Sequence, residues 1–199
     1  MFKAFYAMDN GNKVYDFASD SVMLKDGALY TVVKNGYVLV SYPAGKTNTE
    51  FTIADGTVRI DYAAVMGNEF LKKVVMPESM RSIGNFAFYG CKNLTSITLK
   101  NNISDIKPYA FYGAKITSFD FSKFTGEQLE EAAFSKTKLV NVECNCGFRN
   151  YTFQSNSDLE SLKVRKVTSY STDTFSGNPL LTTLEVGSVG SGYSGMKYI

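Results

Sequence analysis

A segment of about 23 residues recurs along this chain, altered in detail but kept in register. Its clearest copy runs from Arg81 to Leu99, and a second copy follows at once from Ser104 to Phe121. One copy of this length is too short to bury its own apolar face, so successive copies must stack on one another. The period therefore predicts an elongated solenoid.

Each copy carries three apolar residues in the spacing L-x-x-I-x-L, and the last four positions alternate between apolar and polar. Alternation of this kind is the period of a short strand with one face inward. The six triplets are Leu71/Val74/Met76, Leu94/Ile97/Leu99, Ile116/Phe119/Phe121, Leu139/Val142/Cys144, Leu159/Leu162/Val164 and Leu181/Leu184/Val186. We expect a leucine-rich-repeat solenoid with one parallel sheet, whose strands lie near residues 73–76, 96–99, 118–121, 141–144, 161–164 and 183–186.

Two further apolar positions recur in each copy. One set predicts a stacked core ladder, which we favour over a ligand-stacking platform: Val65, Phe88, Phe111, Phe134, Phe153 and Phe175. The other set lies five residues earlier: Ile60, Ile83, Ile106, Leu129, Phe148 and Tyr170. No window has long helical periodicity, so the return path is expected to consist of short turns or 3₁₀ segments.

Residues 1–50 differ from the repeats and predict a capping segment built on a β-hairpin. Two β-rich runs, 28–33 and 37–42, flank Asn35-Gly36, the strongest short signal for a type I′ turn. Asp26-Gly27 indicates another turn beside a weaker strand near residues 22–24. The remainder, 51–199, is read as repeats that end in a glycine-rich tail, 187–199. We expect this tail to lie over the last strand as a partial repeat, with the sheet edge available for self-association.

The repeat resembles that of the BspA-like leucine-rich repeat family of bacterial surface proteins. The resemblance is carried by Ser82 to Ile97, and the segments Asp26 to Tyr30, Val40 to Gly45 and Phe51 to Gly56 are similar to the region that precedes such repeats. It implies an extracellular or surface-anchored binding protein, often an adhesin, without enzymatic activity. Cys91 keeps the family's cysteine, whereas Ala114, Lys136 and Asn178 stand where the family has it.

The composition excludes several classes of function. A formal charge of +2 on 199 residues gives no argument for binding nucleic acid, and the absence of histidine removes the commonest general base. No apolar run is long enough for a membrane helix, and Phe2 to Met8 is too short for a signal-peptide core. Gly45-Lys-Thr47 is not a phosphate loop, because position 40 is valine. No cofactor is expected.

Three cysteines are too few for a disulfide scaffold. Cys144 and Cys146 share strand parity, and we expect them, like Cys91, to be buried apolar thiols. A disulfide is the alternative, and a metal site is disfavoured.

The polar positions of the predicted strands form an outward row. Its candidate ligand-binding residues are Thr98, Asp120, Asn141, Glu143, Lys163 and Glu185. A polar sheet suits an extended partner, which favours recognition of a host or cell-surface protein or a glycan. Asp120 and Glu143 would be neighbours, so a carbohydrate-active hydrolase is an alternative, because retaining glycosidases use two close carboxyl groups. A second alternative is that the chain is a purely structural segment of a larger surface protein.

Overall fold

The computed structural model of the protein describes residues 22–164 and 175–186. Tyr170, the segment 1–21 and the tail 187–199 lie outside the described residues, so the predictions made for them stay predictions. The described part is a solenoid with almost no helix, as the repeat predicts. Within it, no helix is long and apolar enough to cross a membrane.

The longer strands of the repeats lie on one side of the solenoid, which we call the strand face, and run parallel in register. They are β4 (Glu50–Thr52), β6 (Lys73–Met76), β8 (Ser96–Leu99), β11 (Asn141–Cys144), β13 (Ser161–Val164) and β14 (Thr183–Val186). Five of the six predicted strands are therefore confirmed. Their inward residues are buried as expected in most turns; Ile97 and Leu184 are only partly buried.

The predicted strand at 118–121 is wrong, and so is the single continuous sheet. Residues Phe121–Lys123 form a 3₁₀ turn, and the strand face divides into two three-stranded sheets, β4-β6-β8 and β11-β13-β14. The Asp120 side chain caps this turn by accepting a hydrogen bond from the Ser122 backbone N–H, a local bond that competes with strand pairing. Adjacent turns pair instead at Ile103 and Phe124.

The triplet of this turn also carries larger side chains than the others. Phe119 and Phe121 stand where other turns have aliphatic residues or cysteine. Their rings lie 5.1 Å from the Phe134 ring, centroid to centroid, and therefore widen the core at the point where the strand is lost. We call this break in the strand face the seam.

The opposite side of the solenoid is also built of strands rather than of turns alone. β1 (Val22–Lys25), β2 (Ala28–Val33) and β3 (Gly36–Ser41) are antiparallel, and β3 pairs in parallel with β5 (Thr57–Ile60). The two-residue strands β7 (Ser82–Ile83) and β9 (Asp105–Ile106) extend this sheet, and β10 (Gln128–Leu129) pairs with β12 (Gly147–Phe148). The expected turns thus pair along the axis as short strands.

The predicted hairpin forms, but its turn does not have the predicted type. Lys34 and Asn35 are the central residues, and neither has the positive φ that a type I′ turn requires. Gly36 lies inside β3, where a Cβ atom would come within 2.1 Å of the Gly56 carbonyl oxygen. The close approach of the next turn therefore explains this glycine. Positive φ at both central residues occurs instead in the β1–β2 turn, at Asp26 (50°) and Gly27 (75°).

The aromatic ladder is confirmed as core. The rings of Phe88 and Phe111 stack with centroids 5.3 Å apart, and Phe134 follows at 5.2 Å and Phe153 at 6.1 Å. All four rings are fully buried, whereas Phe175 is partly buried and meets Phe148 edge-on at 5.5 Å. Backbone hydrogen bonds also join successive turns at the ladder. For example, the Phe88 N–H donates to the carbonyl oxygen of Ala110, the residue before Phe111, at 2.8 Å.

Candidate functional site

The C-terminal half of the strand face brings together four of the six candidate residues. The register aligns Asn141 with Ser161 and Thr183, and Glu143 with Lys163 and Glu185. Lys163 Nζ lies 3.0 Å from a carboxylate oxygen of Glu185. Asn141, Glu143 and Glu185 are exposed, because alternate residues of a strand point to opposite faces of the sheet. This half is an open row of mixed charge.

The N-terminal half is less charged. Lys73 on β6 lies 3.9 Å from Glu50 on β4, and the outward neighbour of Lys73 on β8 is Ser96. Thr98 is exposed at the end of a second row that begins with Thr52 and Val75. Thr98 and the four residues of the C-terminal half therefore lie on separate sheets.

Asp120 does not join the row. Its Oδ1 atom accepts hydrogen bonds from the backbone N–H of Ser122, at 3.2 Å, and from the Ser122 hydroxyl. The strand pairing that was expected to place Asp120 beside Glu143 does not form at 118–121. The carboxylate pair therefore stays a prediction that sheet geometry does not support. Among the described residues, no group of three or more acidic, cysteine or histidine side chains is placed to hold a metal ion.

The cysteines are buried, but two of them are not free thiols. Cys144 and Cys146 are joined by a disulfide, so the expectation of reduced thiols is wrong for this pair. Both point inward on β11 and just beyond it, which their shared strand parity predicted. Cys91 is free and fully buried, and burial raises the pKa of its thiol to about 12. Its Sγ lies 3.1 Å from the Val65 carbonyl oxygen.

The sequence pattern largely failed to predict a column of residues three positions after each ladder residue, most of them buried and most of them polar, which we call the spine. Its members are Asn68, Cys91, Ala114, Thr137, Asn156 and Asn178. The residue equivalent to Cys91 in the fourth turn is therefore Thr137, not Lys136. Asn68 Nδ2 donates to the carbonyl oxygens of Pro43, Ala44 and Lys46, each at 3.2 Å. Thr137 and Asn178 likewise donate to the carbonyl oxygens of Phe134 and Phe175. Where the position is polar, the spine side chain thus bonds backbone groups at the corner and is structural.

The two best-defined depressions among the described residues are shallow and open. One, of about 360 Å³, is lined by Asp55, Gly56, Pro77, Glu78, Ser79 and Lys100. The other, of about 270 Å³, lies at the N-terminal end of the strand face and includes Lys46, Glu50 and Thr52. Neither resembles the enclosed, mostly apolar cleft that small substrates usually occupy.

Comparison with known proteins agrees with this architecture. The BspA type leucine rich repeat region matches residues 58–182 in six copies, which is more than half of the chain. The crystal structure of a leucine rich cell surface protein from Faecalibacterium prausnitzii is similar, with 24% identity and a TM-score of 0.58 over 87% of this chain and 41% of that one. The chain thus spans less than half of that protein.

A second solved structure has the same fold, and the match covers most of both chains. The leucine rich repeat protein of T. pallidum has 20% identity and a TM-score of 0.58, and the match covers 83% of this chain and 90% of that one. No curated protein matches the chain.

Proposed function

The chain belongs to the BspA-type leucine-rich repeat family, and from that premise we propose a non-enzymatic binding module of the bacterial surface. Its partner is a host or cell-surface protein or a glycan. The recognition surface is the strand face, chiefly Asn141, Glu143, Lys163 and Glu185, with Thr98 on the neighbouring sheet. Asp120, the sixth candidate residue, lies at the seam, where it caps the 3₁₀ turn, and not on a paired strand.

The observation that carries this proposal is the exposed charged row on β11, β13 and β14. Three parallel strands hold its residues in fixed register on a buried core, so little backbone order has to be gained on binding. Charges at a rim or interface tune encounter and selectivity more than affinity. An open row of alternating sign therefore suits selection of one extended partner.

An extracellular or cell-surface location is part of the proposal. Disulfides persist in oxidising compartments and are rare in the cytosol, so the Cys144–Cys146 bond supports it. The similar Faecalibacterium protein is described as a cell surface protein.

Two other readings of the chain are weaker. A hydrolase using Asp120 and Glu143 loses the pairing on which it was based, because Asp120 caps the 3₁₀ turn. A structural segment within a larger parent is compatible with the 41% coverage of the Faecalibacterium protein. Self-association through the last strand stays a prediction; among the described strands, β14 pairs only with β13.

Charge reversal on the strand face tests the proposal. The wild-type protein would be screened on immobilised matrix proteins and a glycan array, and then compared with Glu143→Lys and Lys163→Glu. Glu78→Lys and Lys100→Glu make the same charge changes at exposed positions outside the face. We expect weaker binding only in the strand-face pair, with unfolding free energies within about 0.5 kcal/mol of wild type.

Two results would overturn it. Binding that is lost equally in the control variants would remove the strand face from recognition. Turnover of a chromogenic glycoside that disappears in Asp120→Asn, with ligand still bound, would establish the hydrolase instead.

A further inference from the structure

One edge of the solenoid carries lysines at equivalent positions of successive turns. Lys92, Lys115 and Lys138 each lie four residues after a ladder phenylalanine, and Lys136 lies two residues after Phe134. The ladder rings are 5.3 and 5.2 Å apart, so Lys92, Lys115 and Lys138 leave the backbone on three successive, closely stacked turns. We call these four residues the lysine rim. It precedes the long strands in each turn and is therefore separate from the strand face.

The rim has unneutralised charge at its centre. Lys92 Nζ lies 3.2 Å from a Glu69 carboxylate oxygen at one end, and Lys138 Nζ lies 2.8 Å from Asp158 at the other. Within the described part of the chain, Lys115 and Lys136 form no ion pair. The pKa of Asp158 is lowered, mainly by its hydrogen bond with Lys138 and further by the charge of Lys115. Two lysines from adjacent turns therefore act on one carboxylate.

Two tyrosines lie beside the lysines. The rings of Tyr89 and Tyr112 stack with centroids 5.0 Å apart and planes 4° from parallel. Lys136 Nζ lies 5.0 Å from the centroid of the Tyr112 ring. Both rings are half-buried, and the contact with Tyr112 places the exposed ammonium group of Lys136 against this stack. Phenol hydroxyls add hydrogen-bonding groups to the same edge.

We propose that the lysine rim, with Tyr89 and Tyr112, binds an anionic polysaccharide carrying sulfate or carboxylate groups. A row of ammonium groups carried by successive turns of a packed solenoid suits a linear polymer with repeated anions, because charge complementarity raises encounter rates and fixes register. Ring stacking argues against single-stranded nucleic acid as the partner. Bases bind by stacking on open aromatic faces, whereas the facing surfaces of Tyr89 and Tyr112 cover each other.

The test uses the full chain and heparin as the probe. Binding is measured by calorimetry and by elution from a heparin column for wild type, Lys115→Gln/Lys136→Gln and the control Lys34→Gln/Lys100→Gln. Both double variants lose the same net charge at exposed positions, so they separate a site from general attraction. We expect affinity to fall about tenfold in the rim variant and to change little in the control. Neutral dextran should not bind.

The outcomes are decisive in both directions. Equal losses in the two double variants, or no heparin binding by wild type at physiological salt, would overturn the proposal. Equal affinity for polyglutamate or single-stranded DNA would overturn the choice of polysaccharide. Melting temperatures are measured for both double variants. If they are unchanged, a loss of binding is not caused by a loss of folding. Glu143→Lys should leave heparin binding intact, since Glu143 lies on β11 and outside the lysine rim.

Discussion

Lys123 reaches back across the seam and donates a hydrogen bond from Nζ to the Leu99 backbone carbonyl oxygen at 2.6 Å. Leu99 ends β8, the last strand before the strand face divides. A side chain thus supplies a donor at the point where strand pairing between turns is lost. Without it, a half-buried carbonyl would lose a charged partner.

Removing that donor should destabilise the fold. Lys123→Met keeps most of the side-chain length but cannot donate, and hydrogen bonds to charged groups contribute about 1.5–3 kcal/mol. We expect a loss in unfolding free energy of about that size, measured by urea denaturation. Lys34→Met, at an exposed site in the β2–β3 turn, is the control and should change stability by no more than about 0.5 kcal/mol. Similar losses in both variants would show that the bond does not stabilise the seam.

Truncating a side chain of the core ladder should lower the unfolding free energy more than Lys123→Met does. Phe111 is fully buried between Phe88 and Phe134, so Phe111→Ala leaves a cavity and should cost about 3–5 kcal/mol. Thr98 is exposed on β8, and Thr98→Ala should have a small effect. Calorimetric melting of the two variants checks the assignment of inward and outward positions. Equal shifts in melting temperature would contradict it.

Thiol counting checks the disulfide and the burial of Cys91. The native protein should not react with a thiol-specific reagent near neutral pH, because the Cys91 thiol is buried and its pKa is raised to about 12. In denaturant without a reductant, one thiol should react, and after reduction all three cysteines should react. Three reactive thiols in denaturant alone would show that Cys144 and Cys146 are not bonded.

The same thiol makes stability depend on alkaline pH. An unfolded cysteine has a pKa of about 8.5, whereas burial raises that of Cys91 to about 12. The unfolded state therefore loses its proton first, so this contribution to stability is complete below the unfolded pKa and is lost as pH rises towards the folded one. Between about pH 8 and pH 11, wild type should lose unfolding free energy faster than Cys91→Ala. Parallel curves would show that the thiol is not protected.

Much of the architecture could be predicted from the sequence because stacking repeats one local pattern. Phe88 and Phe111 are 23 residues apart, and a constant step keeps the ladder, the strands and the outward row in register. Triplet alternation located β6, β8, β11, β13 and β14 for the same reason. The family resemblance pointed to the match that covers residues 58–182.

The misses occurred where one turn departs from that pattern. Residues 118–121 alternate like the others, but the Asp120–Ser122 bond and two phenylalanine rings favour a 3₁₀ turn over a strand. Ile116 follows Phe111 by five residues whereas Leu94 follows Phe88 by six. Because of this change in spacing, the sequence pattern did not identify Thr137 as the residue equivalent to Cys91. The Cys144–Cys146 bond could not be chosen over free thiols because spacing alone permits both.

Both sides of the solenoid lose strand pairing near the same place, since β9 does not pair with β10 and β8 does not pair with residues 118–121. The two parts are joined there by the aromatic core, by the isolated bridge at Ile103 and Phe124, and by backbone hydrogen bonds from the N–H groups of Tyr109, Phe111, Gly113 and Lys138 to the next or preceding turn. The Tyr109 hydroxyl also donates to Glu131. Under tension along its axis, such a coil yields where the fewest backbone bonds share the load. The chain would therefore part there into two blocks with intact sheets, which makes the seam the mechanical weak point of the described solenoid.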